Sequence, residues 1–239
     1  SLYDVTLTAP ADLTVVATGA TLGKTANADG SATWRLGGGP MRDFNVVASR
    51  DYLSASTEVG DITVNSYFLP GDEAGGRKAL DWAAQALTIH QKEFGAYPYR
   101  ELDVVETGTS AGGIEYPGLI AVASRLYSDP NRQQFFESAT AHEVGHQWWY
   151  NVVGNDQLNH PWLDEALTQY ATYRYFQDAY GDPLEAGEGV GACVGQGIGS
   201  RRRTGVSVMA SAAASATARR RGTCFWLSRV GCTRLVSRT

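Results

Sequence analysis

Between Val5 and Val64 the apolar positions recur two residues apart. Val5 and Leu7 alternate with polar neighbours, and so do Trp34 and Leu36, Phe44 and Val46, and Ile62 and Val64. A period of two is that of a β-strand with one buried face. Turn-rich pieces, "NADGS" and "LGGGP", separate the runs, as in a meander or sandwich. Residues 1–64 are therefore expected to be the C-terminal part of an all-β domain whose first strands lie before Ser1.

The period then changes. Leu80, Ala83, Ala84, Leu87 and Phe94 share one helical face, while Trp82 and Ile89 share the opposite one. A helix apolar on two sides is sandwiched between layers, and Gly95 can end it. "ELDVVET" reads as a short strand, and "SAGGIEYPGLIAV" as a glycine-rich entry into another. "DPNRQQFFESATAHEVGHQWWYN" is expected to be one helix starting near Asp129-Pro130. After the polar loop "VGNDQLNHP", a last helix begins at Pro161, with Asp164 and Glu165 in its acidic first turn, and stops at Gly181. The expected class is α+β, with a second, mixed α/β unit over residues 65–185.

Residues 186–239 differ in kind. They hold nine Arg and one acidic residue, about +8, which leaves about −13 on residues 1–185 against a total of −5. So acidic a body excludes nucleic acid as its partner. All three cysteines, Cys193, Cys224 and Cys232, lie in this tail at spacings that match no zinc or disulfide template. The chain has three Lys against seventeen Arg, as a GC-rich gene gives. Such a gene read out of frame yields runs of Arg, Ala, Gly and Ser, so the tail is expected to be disordered or out of frame. The chain starts at Ser1 without an initiator Met or signal pattern and is expected to be a fragment. It holds no apolar run long enough to span a bilayer.

The candidate chemistry sits in "HEVGHQWWYNVVGNDQLNHPWLDEAL", residues 142–167. On a helix His142 and His146 lie one turn apart on one face, so both imidazoles can reach one ion. Glu143, about 100° around the helix, stands beside that ion, where a carboxylate can take a proton from a water the metal activates. Glu165 supplies the carboxylate the pair lacks. Two imidazoles and one carboxylate leave a tetrahedral zinc one open position, as in catalytic sites. One Zn2+ per chain is expected.

H-E-x-x-H, eighteen residues, then Glu within "WLDEAL", with "HQWW" and an upstream "GGIEY" at residues 112–116, resembles the aminopeptidase N (membrane alanyl aminopeptidase) family of gluzincin zinc peptidases. The resemblance covers roughly residues 40–185. It implies a partial thermolysin-like catalytic domain after the β domain, and peptide substrates with a free N-terminus. It also implies zinc held by His142, His146 and Glu165, with Glu143 as general base. Glu115 would bind the substrate's α-ammonium, and Gly112 and Gly113 would let a peptide lie along their strand. Ile114 and Tyr116 stand where the family has Met and Asn. The family's oxyanion-binding tyrosine has no counterpart, since no Tyr follows Tyr180. Two alternatives therefore stand beside a zinc aminopeptidase: a zinc-binding fragment or pseudoenzyme of little or no turnover, and a zinc endopeptidase.

Overall fold

A computed structural model describes residues 1–181 and the backbone of two further short strands, Ser207–Ala210 and Val236–Ser237. The expectation for the tail otherwise lies outside the described residues. The order is β1 (Tyr3–Pro10), β2 (Thr14–Ala17), β3 (Ala20–Ala26), β4 (Ser31–Gly38), β5 (Asn45–Ser49), β6 (Leu53–Val59), β7 (Ile62–Phe68), α1 (Glu73–Phe94), β8 (Glu101–Thr107), β9 (Gly113–Tyr116), β10 (Leu119–Ala123), α2 (Gln133–Gly145), α3 (Trp162–Tyr180), β11 (Ser207–Ala210) and β12 (Val236–Ser237). The class is α+β, as expected.

Three sheets form. One runs β12-β1-β4-β3 and a second β11-β5-β2. Val5, Leu7, Trp34, Leu36, Phe44 and Val46 join one buried cluster; the period-two reading holds for β1 and β4, whereas β5 is buried at every position. The third sheet runs β6-β7-β8-β10-β9. Within it β7 and β8 are parallel and joined through α1, β10 is parallel to β8, and β9 returns antiparallel to β10. The expected break at residue 64 thus falls inside β7, whose register with β8 runs from Thr63↔Glu101 to Tyr67↔Val105. Alternation alone could not assign β6 and β7 to a sheet, because sheet membership is a long-range pairing.

Helix α1 lies against this sheet. Leu80, Ala83, Leu87 and Ile89 are buried in a core shared with Val64, Leu102, Val104, Ile120 and Val122 and with Phe136, Ala141 and Val144 of α2. Its two apolar faces thus meet different layers, as the sequence indicated. His90 on α1 is fully buried. Its ring lies beside Phe94 and Trp148, and Nε2 is 3.4 Å from the Ala141 carbonyl.

The helix expected through Asn151 ends earlier. Regular geometry stops at Gly145, and Gln147–Val152 form a wide turn broken at Trp149 and Tyr150. Gly145 also lets α3 come close, since a Cβ there would stand 3.1 Å from Thr168 Cγ2 and 3.3 Å from Ala171 Cβ. Among the described residues no helix is long and apolar enough to cross a membrane.

Candidate metal centre

The last turn of α2 carries His142 and His146, and the first turn of α3 carries Glu165. The close α2–α3 approach puts one ligand atom from each within 4.8 Å of the others. The two histidine Nε2 atoms are 3.1 Å apart, and Glu165 Oε2 lies 3.2 Å from that of His142 and 3.7 Å from that of His146. Ligand atoms at 2.0–2.1 Å around a tetrahedral zinc stand about 3.3 Å from one another, so the spacing fits such an ion.

Tautomers strengthen the fit. His146 Nδ1 lies 3.0 Å from the Trp149 carbonyl; a carbonyl only accepts, so Nδ1 carries the proton. Thr168 Oγ1 is also 3.0 Å from that nitrogen. Thr172 donates its hydroxyl to the Thr168 carbonyl at 2.9 Å, which leaves its oxygen to accept from His142 Nδ1 at 3.3 Å. With each Nδ1 engaged elsewhere, the two Nε2 atoms are the nitrogens left to ligate a shared cation. Two neutral imidazoles with bonded Nδ1–H groups are the usual form of a metal-ligating pair.

The charges agree. Hydrogen bonds from His142 and His146 hold the Glu165 carboxyl well below the usual carboxylate range. Burial opposes a charge on His146, yet Glu165, Glu115 and Glu143 outweigh it and raise that ring to about 10, while burial pushes His142 down. The pocket favours one positive charge between the rings, which a divalent cation supplies in full.

Glu143 is buried, with Oε2 lacking a hydrogen-bond partner. Burial pushes its carboxyl well above the ordinary range. It lies against β9, and the position a Cβ would take at Gly113 is only 2.4 Å from Glu143 Oε1. Gly113 is therefore required by the close approach of Glu143. Gly112 is under no such constraint, its nearest neighbour being Phe135 Cζ at 3.4 Å, and its carbonyl accepts from Ala123 N at 3.0 Å.

Glu115, half-buried on β9, faces the same pocket and acts electrostatically on His142, Glu143 and His146. Gln147, fully buried just past the second histidine, fixes the strand. Its Oε1 accepts from Gly118 N at 2.8 Å and its Nε2 donates to Tyr116 O at 3.1 Å, closing the β9–β10 turn from both ends. Gly118 makes that turn with φ +72°, a region that favours glycine. Of the seven residues singled out from the sequence, His142, His146, Glu165, Glu143, Glu115 and Gly113 thus lie close to one another, while the Cβ position at Gly112 meets Phe135 and Ala139. Missed were Thr172, Gln147 and the Trp149 carbonyl. Thr172 had a signal, since Glu165, Thr168 and Thr172 fall on one face of α3. The carbonyl had none, because only the broken turn aims it at His146. Asp164 accepts from Asn155 and Gln157.

Residues 78–194 match the family model described as "Peptidase family M1 domain". The chain is 32% identical over 136 residues to Aminopeptidase M1-B of Oryza sativa subsp. japonica, a stretch that is 54% of this chain and 15% of that relative. It is 29% identical over 136 residues to Aminopeptidase M1 of Arabidopsis thaliana, again 54% of this chain and 15% of the relative. It is 33% identical over 120 residues to the mitochondrial Aminopeptidase 2 of Saccharomyces cerevisiae, 47% of this chain and 13% of the relative. The chain thus matches only a small part of the length of these curated relatives.

Proposed function

This chain belongs to peptidase family M1, a family of metallopeptidases, and from that premise we propose that it carries the zinc centre of an aminopeptidase acting on peptides with a free N-terminus. The observation that carries the reading is the cluster of two imidazole Nε2 atoms and a Glu165 oxygen within 4.8 Å of one another, with a buried, unpartnered Glu143 oxygen alongside. The domain layout that goes with it is the end of an N-terminal β domain, then a partial thermolysin-like catalytic unit.

His142, His146 and Glu165 would hold the ion, and zinc, when bound, supplies Lewis acidity toward a scissile carbonyl. Glu143 takes a proton from the attacking water and passes it to the leaving amine. A carboxyl raised by burial, with one oxygen free of other bonds, suits a group that must both accept and release that proton. Glu115 pairs with the substrate's α-ammonium, which restricts cleavage to the first peptide bond. The lack of side chains at Gly112 and Gly113 leaves that backbone open to a peptide lying alongside.

A second reading is a zinc-binding chain without useful turnover. It is supported by the absence of any Tyr after Tyr180 and by Tyr150, whose hydroxyl is committed to Asp43. Loss of one oxyanion donor costs on the order of 100-fold or more in rate. The test is zinc content together with hydrolysis of aminoacyl-anilides and an N-acetylated control, by this chain and by Glu143→Gln. One zinc per chain with Glu143-dependent cleavage of free-amine substrates supports the aminopeptidase. Stoichiometric zinc without turnover supports the second reading, and cleavage of the blocked substrate an endopeptidase.

A further inference from the structure

The polar loop between α2 and α3 reaches back to β9 through one side chain. Gln157 Nε2 donates to Asp164 Oδ2, and the same nitrogen lies 3.4 Å from Glu115 Oε1. An amide nitrogen carries two hydrogens, so one group serves two carboxylates. Asp164 is almost fully buried and is held on its other oxygen by Asn155 Nδ2 at 2.6 Å. Asn155 in turn is held by Arg42, whose Nη2 donates to its carbonyl at 3.0 Å and whose Nη1 lies 3.4 Å from its Oδ1. Arg42 also donates to the Tyr150 carbonyl at 3.1 Å and lies over the Tyr150 ring. The far end of this relay is thus anchored to the loop and to the segment leading into β5.

We propose that Gln157 is a positioning residue for Glu115, holding that carboxylate in the orientation that receives a substrate ammonium. This rests on the aminopeptidase reading. Glu115 belongs to a four-residue strand, and Gln157 reaches its carboxylate from outside that strand. Asp164 cannot hold it directly, because two carboxylates repel. A neutral donor between them removes the repulsion and leaves Glu115 its negative charge. Gln157, half-buried on a loop, can be replaced without opening the core.

The test is a binding measurement on the zinc-loaded full chain, with L-leucinamide as the free-amine probe and N-acetyl-L-leucinamide as the blocked control. Wild type should prefer the free amine, and Glu115→Gln should lose that preference. Gln157→Leu should weaken leucinamide about tenfold, as loss of one hydrogen bond to a charged group implies. Binding of the acetylated control and the affinity for zinc should stay within about twofold. Gln157→Asn, one methylene too short to span from Asp164 to Glu115, should behave like Gln157→Leu. Unchanged leucinamide binding in both Gln157 variants, with loss in Glu115→Gln, overturns this proposal and leaves the amine-pocket reading standing. Equal weakening of both probes, or a parallel fall in zinc affinity, also overturns it, since the residue then only supports the loop. No preference for the free amine in wild type removes the amine pocket itself, and this proposal with it.

Discussion

Replacing Gly113 with alanine tests how tightly β9 and α2 are fitted. The added methyl would stand 2.4 Å from Glu143 Cγ and Oε1 and 2.5 Å from Cδ, more than 1 Å inside the ordinary contact distance between carbon atoms. Glu143 is buried and cannot swing into solvent, so either the carboxylate leaves its place or the strand moves. Overpacking of this kind costs about 1–3 kcal/mol, a fall of about 2–12 °C in Tm for a chain of this size. Gly112→Ala, whose methyl meets only ordinary contacts, should leave Tm within about 2 °C. The decisive assay is a double-mutant cycle by thermal unfolding without metal. In a Glu143→Ala background the clashing atoms are gone, so Gly113→Ala should be nearly neutral and the coupling should equal most of the single-mutant penalty. If Gly113→Ala destabilises both backgrounds equally, Glu143 is not what excludes a side chain at 113 and the reasoning fails.

Thr168→Val removes one of two groups at His146 Nδ1 and leaves the Trp149 carbonyl; zinc affinity by chelator competition should fall about tenfold, with Thr168→Ser close to wild type. Glu165→Ala leaves two imidazoles as ligands, so zinc retained after dialysis should drop well below one per chain, while Glu143→Gln should keep it. Burial pushes His90 down to about 4 from its ordinary 6.5. The unfolded chain therefore takes a proton below pH 6.5 that the folded chain refuses until about pH 4, and stability falls across that window as pH drops. The full loss is about 3 kcal/mol, and His90→Leu should flatten that part of the curve in urea unfolding at several pH values.

The candidate ligands were legible because their spacing is a property of one helix turn plus one loop. His142, Glu143 and His146 follow from helical geometry, and Glu165 from being the carboxylate at the start of the next helix. The two-sided helix was legible for the same reason, since Leu80, Ala83 and Leu87 against Ile89 is a local pattern. What escaped depends on contacts distant in sequence. The pairing of β7 with β8 is fixed by α1 packing over both, so no break at residue 64 could be read from alternation. The end of α2 at Gly145 was hidden because "HQWWYN" continues a helical pattern, whereas the chain breaks at Trp149 and Tyr150 and sets the Trp149 carbonyl against His146 Nδ1. Gln147 and Gln157 carry no signal of their own, because an amide's partners lie 29 and 42 residues away.

Strand β9 ends its sheet, with β10 as its sole neighbour among the described residues. Such an edge is a template on which other chains can stack, and folded proteins blunt it with charge, shortness or a cover. On the proposed function, a strand that is to receive a peptide cannot be covered. Here it is four residues long, is closed off by Pro117 and bears Glu115 near its middle. The carboxylate that would select an ammonium therefore has a second task, keeping copies of this protein from adding to one another in a crowded solution. A Glu115→Val chain should then be lost to aggregation on concentration sooner than wild type.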